Sequence, residues 1–225
     1  EPRGKGPYRV FVIGAPGPGE VASKHPYQFM NAALYQEPDE NTVWIVERSG
    51  YEAGGVDTAK IEASVGPGRI LWLTPEISLS SLMNREFTDG SIQSLTFYSH
   101  GLPGLVALRY GWGDKGMINY GLSISQVQGF SKSKFTTDAK IQFDSCNTAT
   151  ATSDGNLAQE MAYTTGLPVQ GWTGRTSYAE INDGPDDEDK DVHGSQVRRN
   201  GRTDFKEVAS RFIGRIPNLT AYTFA

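Results

Sequence analysis

The chain has a single cysteine, three histidines and no long apolar run. Cys146 cannot close an internal disulfide by itself, so its presence says nothing about redox compartment. No stretch approaches the ~20 consecutive apolar residues of a membrane-spanning helix. Positive charge is not in excess either. The 21 Lys and Arg against 26 Asp and Glu give a net −5, which removes the basic field that nucleic-acid binding draws on. Internal repeats and coiled-coil heptads are missing as well. The sequence opens on Glu1 rather than Met with no signal peptide, and the expectation is an excised or processed piece of a longer polypeptide.

What is there suits one domain covering residues 1–225, long enough to bury a good core. The 26 glycines and 12 prolines favour many tight turns over a helical bundle. Six short apolar runs rich in β-branched and aromatic residues read as strands: 8–14, 42–47, 69–74, 95–99, 140–146 and 168–172. Segments with helical spacing fall between them, at 25–36, 57–65, 78–85, 123–130 and 154–165, the last ended by Gly166. Residues 105–110 read as an extra strand or hairpin arm. This alternation predicts an α/β fold, a mostly parallel central sheet of about six strands with helices on both faces. Beyond Gly171 the pattern loosens. Asp183, Asp186, Asp187, Glu188, Asp189 and Asp191 precede Arg198, Arg199 and Arg202, so 182–202 reads as a long charged loop; 205–213 reads as a last helix.

Two strand ends carry reactive side chains. One run ends on Ser99-His100-Gly101, the other on Asp144-Ser145-Cys146. Open α/β sheets bind ligands beyond the carboxyl ends of their strands, and a thiol beside an imidazole there makes a nucleophile with its base. A lone cysteine is most often a small buried hydrophobe. Here it stands at a strand end after two polar residues, and a glycine follows the histidine, where a bare backbone N–H lets a substrate approach closely.

Ser99-His100-Gly101 together with Asp144-Ser145-Cys146 resembles the paired signature of the caspase-like cysteine peptidases: caspases, metacaspases, clostripain, gingipains and separase. The Asp-Ser-Cys step is similar to metacaspases in particular, and the His-to-Cys separation is near the roughly 50 residues of caspases. A longer local likeness is to caspase-like domains of large bacterial surface proteins. It runs through Ser99-His100-Gly101-Leu102-Pro103-Gly104, Cys146-Asn147-Thr148-Ala149, and 157–174. Asn147-Thr148-Ala149 departs from the His-Ser-Gly of metacaspases. The resemblance implies a cysteine endopeptidase working as a dyad on protein or peptide substrates. Cys146 is the nucleophile and His100 manages protons. The N–H groups of Gly101 and Cys146 form the oxyanion hole, with Ser99 and Asn147 lining the substrate site. It also implies a bacterial toxin or effector, secreted or delivered into a target cell within a larger protein. The alternative is a caspase-like binding module without turnover.

Asp144 carries a specificity expectation. Residues i and i+2 of a strand share a face, so it should look into the same crevice as Cys146. Related peptidases with an acid here take a basic residue before the cleaved bond, and Arg pairs with carboxylate more strongly than Lys. The alternative is a helix cap or loop anchor. An enzyme cutting after Arg could process itself at Arg198, Arg199, Arg202 or near Arg3. No cofactor or metal is expected from the ligand spacing. The acidic run reads first as a solvated loop; it is also where Ca²⁺ would sit, as some metacaspases require, though it lacks the ordered spacing of an EF-hand. Gly14-Ala15-Pro16-Gly17-Pro18-Gly19 has the look of a phosphate-binding turn, but no Gly-Lys-Ser/Thr follows and its prolines lack N–H donors. His25 and His193 lack ligand spacing, and the four tryptophans are expected in the core or along the crevice.

Overall fold

The computed structural model describes residues 6–22, 26–34, 36, 38–66, 68–112, 120–173 and 219–222. Ten strands follow one another as β1 (Tyr8–Ile13), β2 (Thr42–Glu47), β3 (Ile70–Leu73), β4 (Ile92–Tyr98), β5 (His100–Leu102), β6 (Leu105–Arg109), β7 (Tyr120–Ser123), β8 (Phe135–Asp144), β9 (Val169–Trp172) and β10 (Leu219–Tyr222). The helices are α1 (Pro18–Ala22), α2 (Gln28–Leu34), α3 (Arg48–Ala53), α4 (Thr58–Val65), α5 (Leu79–Glu86), α6 (Ile124–Val127) and α7 (Leu157–Thr165).

Seven strands form the main sheet in the order β10-β9-β8-β4-β1-β2-β3. Six of them run parallel, and β10 closes the edge antiparallel to β9. All six strands expected from the sequence are present, and the α/β architecture with helices on both faces holds. Alternation along each strand feeds two cores. Val10, Val12, Leu95, Phe97, Ile141 and Phe143 pack under α5, α6 and α7. Phe11, Ile13, Trp44, Val46 and Tyr98 pack under α2, α3 and α4. Phe97 and Phe143 stack with centroids 4.6 Å apart across β4 and β8. Burying each such ring contributes roughly 1.5–3 kcal/mol.

The helices start and stop where local chemistry says. Asn156 caps α7 by accepting from Gln159 N, and Gly166, at φ 66°, turns the chain out of it. Ser78 caps α5 through Ser81 N, and Asp57 caps α4 through Ala59 N. Two helices are shorter than their apolar spacing predicts. α2 opens at Gln28 rather than 25, and 123–130 shrinks to the single turn of α6, closed by a capping box at Ser123 and Gln126.

The largest departure lies around His100. The fourth strand leaves the main sheet at Tyr98, and His100 begins β5, the first strand of a separate antiparallel sheet, β5-β6-β7. A Pro103-Gly104 turn, with Gly104 at φ 77°, folds β5 straight back onto β6. The expected hairpin arm at 105–110 is β6. The charged loop 182–202, the helix expected at 205–213, His25 and His193 lie outside the described residues. No described helix is long and apolar enough to cross a membrane.

Candidate active site

The chain lays β1, β2 and β3 outward in one direction, then returns to place β4, β8 and β9 on the other side of β1. The strand order therefore reverses between β1 and β4, and the crevice beyond that reversal is where open α/β sheets take ligands. The loop after β1 and the Ser99-His100-Gly101 step after β4 flank it, and the Cys146 turn follows β8 next door.

Backbone contacts draw these segments together. Tyr98 pairs with Asp144 at the last rung of β4 and β8. One step further, Ser99 Oγ lies 3.0 Å from Ser145 Oγ, both residues buried. Ser99 Oγ donates to His100 O at 3.0 Å, so its single proton is used there and Ser145 donates to Ser99. The Ser99 hydroxyl is thus engaged inside the sheet edge, where it ties the two strand ends. Gly101 then passes directly over the Cys146 peptide: a Cβ at Gly101 would stand 2.0 Å from Cys146 O and 2.7 Å from Cys146 N. No other residue type fits that approach, which brings the backbone next to His100 against the backbone of Cys146.

Cys146 is half-buried and opens a turn over 146–149. Asn147 has φ 58°, in the left-handed region, alone among the described non-glycine residues. Its carbonyl accepts from Thr150 N at 3.0 Å, and Thr148 Oγ1 donates to Ser145 O at 3.2 Å. These bonds hold the Cys146 turn closed.

Asp144 differs from the open placement that strand alternation suggests. Its side chain is buried, 1% exposed. Gln142 Nε2 donates to Oδ1 at 2.7 Å from two residues upstream. The Trp172 ring approaches the carboxyl, yet its buried Nε1 makes no hydrogen bond of acceptable geometry. Burial dominates these contacts and pushes the Asp144 pKa up to about 6.

His100 sits among aromatic rings, with Phe29 edge-on at 5.0 Å and Tyr110 tilted at 4.8 Å between centroids. Its Nε2 lies 3.0 Å from Glu20 Oε1. The oxygen stands off the ideal N–H direction, so the contact is a close polar approach rather than a straight hydrogen bond. The other oxygen, Oε2, accepts from Gly17 N at 2.8 Å. Burial alone would raise the Glu20 carboxyl. The contact with His100 and the N–H groups of Glu20 and Gly17 outweigh it and hold the pKa at about 2.

No protein-family model matches the chain, and no curated protein matches it. Among solved structures it is similar to a secreted C11 cysteine protease from Bacteroides thetaiotaomicron, determined with an irreversible peptide inhibitor. Identity is 12% and the TM-score 0.38, over 85% of this chain and 57% of that one. The chain thus spans less than two thirds of that protein's length.

Sequence reasoning missed Glu20 and Gln142 as members of this region; Ser145 entered only within the Asp-Ser-Cys step, and Trp172 only as one of four tryptophans expected in the core or along the crevice. The signal for Glu20 was present: a Pro-Gly loop after the first strand, at the sheet's reversal point, ending on an acid. Among the described residues no three His, Cys, Asp or Glu side chains cluster as a metal site.

Proposed function

We propose that the chain is a cysteine endopeptidase of the caspase-like kind. The supporting observation is the contact of Gly101 with the Cys146 backbone, which sets the histidine step and the cysteine turn side by side at the sheet's carboxyl edge. In this reading Cys146 Sγ bonds to the scissile carbonyl carbon, and the displaced electrons collect on its oxygen. N–H groups of Gly101 and Cys146 stabilise that oxyanion, where each donor is worth about 2.7–4 kcal/mol of barrier. His100 takes the thiol proton of Cys146 as sulfur attacks and passes it to the departing amine as the C–N bond breaks. Water then adds to the thioester, releasing the acid and returning a proton to sulfur. Asn147 holds the turn that presents the thiol, and Ser99 fixes the strand end beneath it.

Specificity for Arg, then Lys, before the cleaved bond rests on Asp144. Burial raises the pKa of this carboxyl to about 6, and a guanidinium delivered by the substrate would stabilise its charged form. Cleavage of the chain's own 182–202 region after Arg198, Arg199 or Arg202 follows from that preference. The physiological setting proposed is a secreted or delivered bacterial effector, with no resident cofactor; Ca²⁺ binding by the acidic run is a separate, weaker reading.

A peptidyl electrophile ending in Arg tests the central reading. The expected result is a single adduct on Cys146, absent from Cys146→Ala, together with hydrolysis of Arg-containing peptides. A folded sample without adduct or hydrolysis would show a caspase-like binding module instead. Mass spectrometry of the purified chain beside Cys146→Ala reads self-processing directly.

A further inference from the structure

We infer that Glu20 is the positioning residue for His100, its carboxylate selecting which ring nitrogen faces the crevice. The inference deepens the peptidase reading and rests on it. Two rings, Phe29 and Tyr110, fix the plane of the imidazole, but an aromatic face does not distinguish one ring nitrogen from the other. The carboxylate does. With Oε1 3.0 Å from Nε2, the proton belongs on Nε2, and Nδ1 is left as the nitrogen that exchanges a proton with substrate.

The loop carrying Glu20 is built to hold it still. Trp112 Nε1 donates to Pro16 O at 2.7 Å, pinning the loop from the hairpin side. Gly14 N donates to Tyr98 O at 2.8 Å and Ala15 N to Leu108 O at 2.7 Å, which tie its start to β4 and β6. Gly17 N donates to Oε2 at 2.8 Å, and Oε1 is the oxygen beside His100 Nε2. The Gly14–Gly19 segment thus acts as a rigid arm that carries a charge to His100. Its pKa of about 2 keeps that charge in place at any assay pH.

Glu20→Gln provides a sharp test, because a carboxamide has one acceptor oxygen where the carboxylate uses two. It cannot serve Gly17 N–H and His100 together. With three histidines in the chain, imidazole ¹⁵N spectra resolve the His100 tautomer. The expected spectrum is a single Nε2–H form in the native protein, a mixture in Glu20→Gln and recovery in Glu20→Asp. On an Arg-containing peptide, kcat of Glu20→Gln should fall by about tenfold to a hundredfold with KM within about twofold, as for loss of oriented proton transfer. Melting temperatures of the three proteins control for folding. An unchanged tautomer in Glu20→Gln, or unchanged kcat, overturns the inference. A native protein with the locked tautomer but no adduct on Cys146 overturns the peptidase reading while the pairing of Glu20 with His100 stands.

Discussion

The hydroxyls of Ser99 and Ser145 meet at 3.0 Å between the ends of β4 and β8, one residue ahead of His100 and of Cys146. Ser145 donates to Ser99, and Ser99 donates onward to His100 O. The relay makes the two serines unequal. Ser145→Ala removes one bond and should cost about 1 kcal/mol, whereas Ser99→Ala also strips His100 O of its donor and should cost more, up to about 3 kcal/mol. Urea denaturation orders the two, and the rate of Cys146 alkylation should fall further in Ser99→Ala.

Gly101→Ala should disrupt the cysteine turn directly. Its Cβ would stand 2.0 Å from Cys146 O, and backbone cannot yield as a flexible side chain does. The cysteine turn must move away from β5. Labelling of Cys146 is expected to slow by about 100-fold or more, the scale of losing an oxyanion donor. Circular dichroism melting should show that the domain still folds, at a lower temperature.

Asp144 gives stability a definite pH dependence. Burial raises its folded pKa from 3.8 to about 6, so the fold holds this proton longer than the unfolded chain does. Stability is full below about 4, falls as pH rises to about 6, and then levels, a loss of about 3 kcal/mol. Asp144→Asn removes that decline and should be the more stable protein at neutral pH. The same exchange should abolish any preference for Arg or Lys before the cleaved bond. Preserved preference would show that Asp144 serves only the sheet.

Glu47 is buried and caps α3, accepting from Ser49 N and Gly50 N at 3.1 and 2.7 Å and from the Ser49 hydroxyl. Arg109 Nη1 in turn donates to Ser49 Oγ at 3.1 Å, linking this cap to the hairpin that follows His100. Burial nevertheless holds the Glu47 carboxyl above its ordinary pKa. Glu47→Ala should lower stability by about 2 kcal/mol through loss of the cap, read by thermal unfolding.

The parallel sheet was legible because its strands carry short, mostly apolar stretches, as burial on both faces demands. Leu95, Phe97, Ile141 and Phe143 announce a core whichever topology contains them. That the steps carrying His100 and Cys146 follow strands of one sheet was legible from the two apolar runs. Three things were not. The exit of the chain at Ser99 depends on β5 finding β6, a tertiary pairing that local pattern does not encode. Glu20 drew no notice, because its target is 80 residues away in sequence. Asp144 alternates toward the crevice, yet Tyr98, Gln142 and Trp172 close around it, and burial of that kind belongs to packing rather than to periodicity.

β10 pairs with β9 so that Leu219 stands opposite Trp172 and Tyr222 opposite Val169. β9 ends at Trp172 and β10 begins at Leu219, so the chain leaves and re-enters the sheet on one and the same rung. A peptide bond broken inside that excursion would therefore yield two polypeptides sharing one sheet. Self-processing at Arg198, Arg199 or Arg202 would appear as two bands on a denaturing gel and as one unshifted peak in gel filtration. The proteolysed form would be a nicked molecule, its pieces joined by a strand pair in place of the lost covalent link.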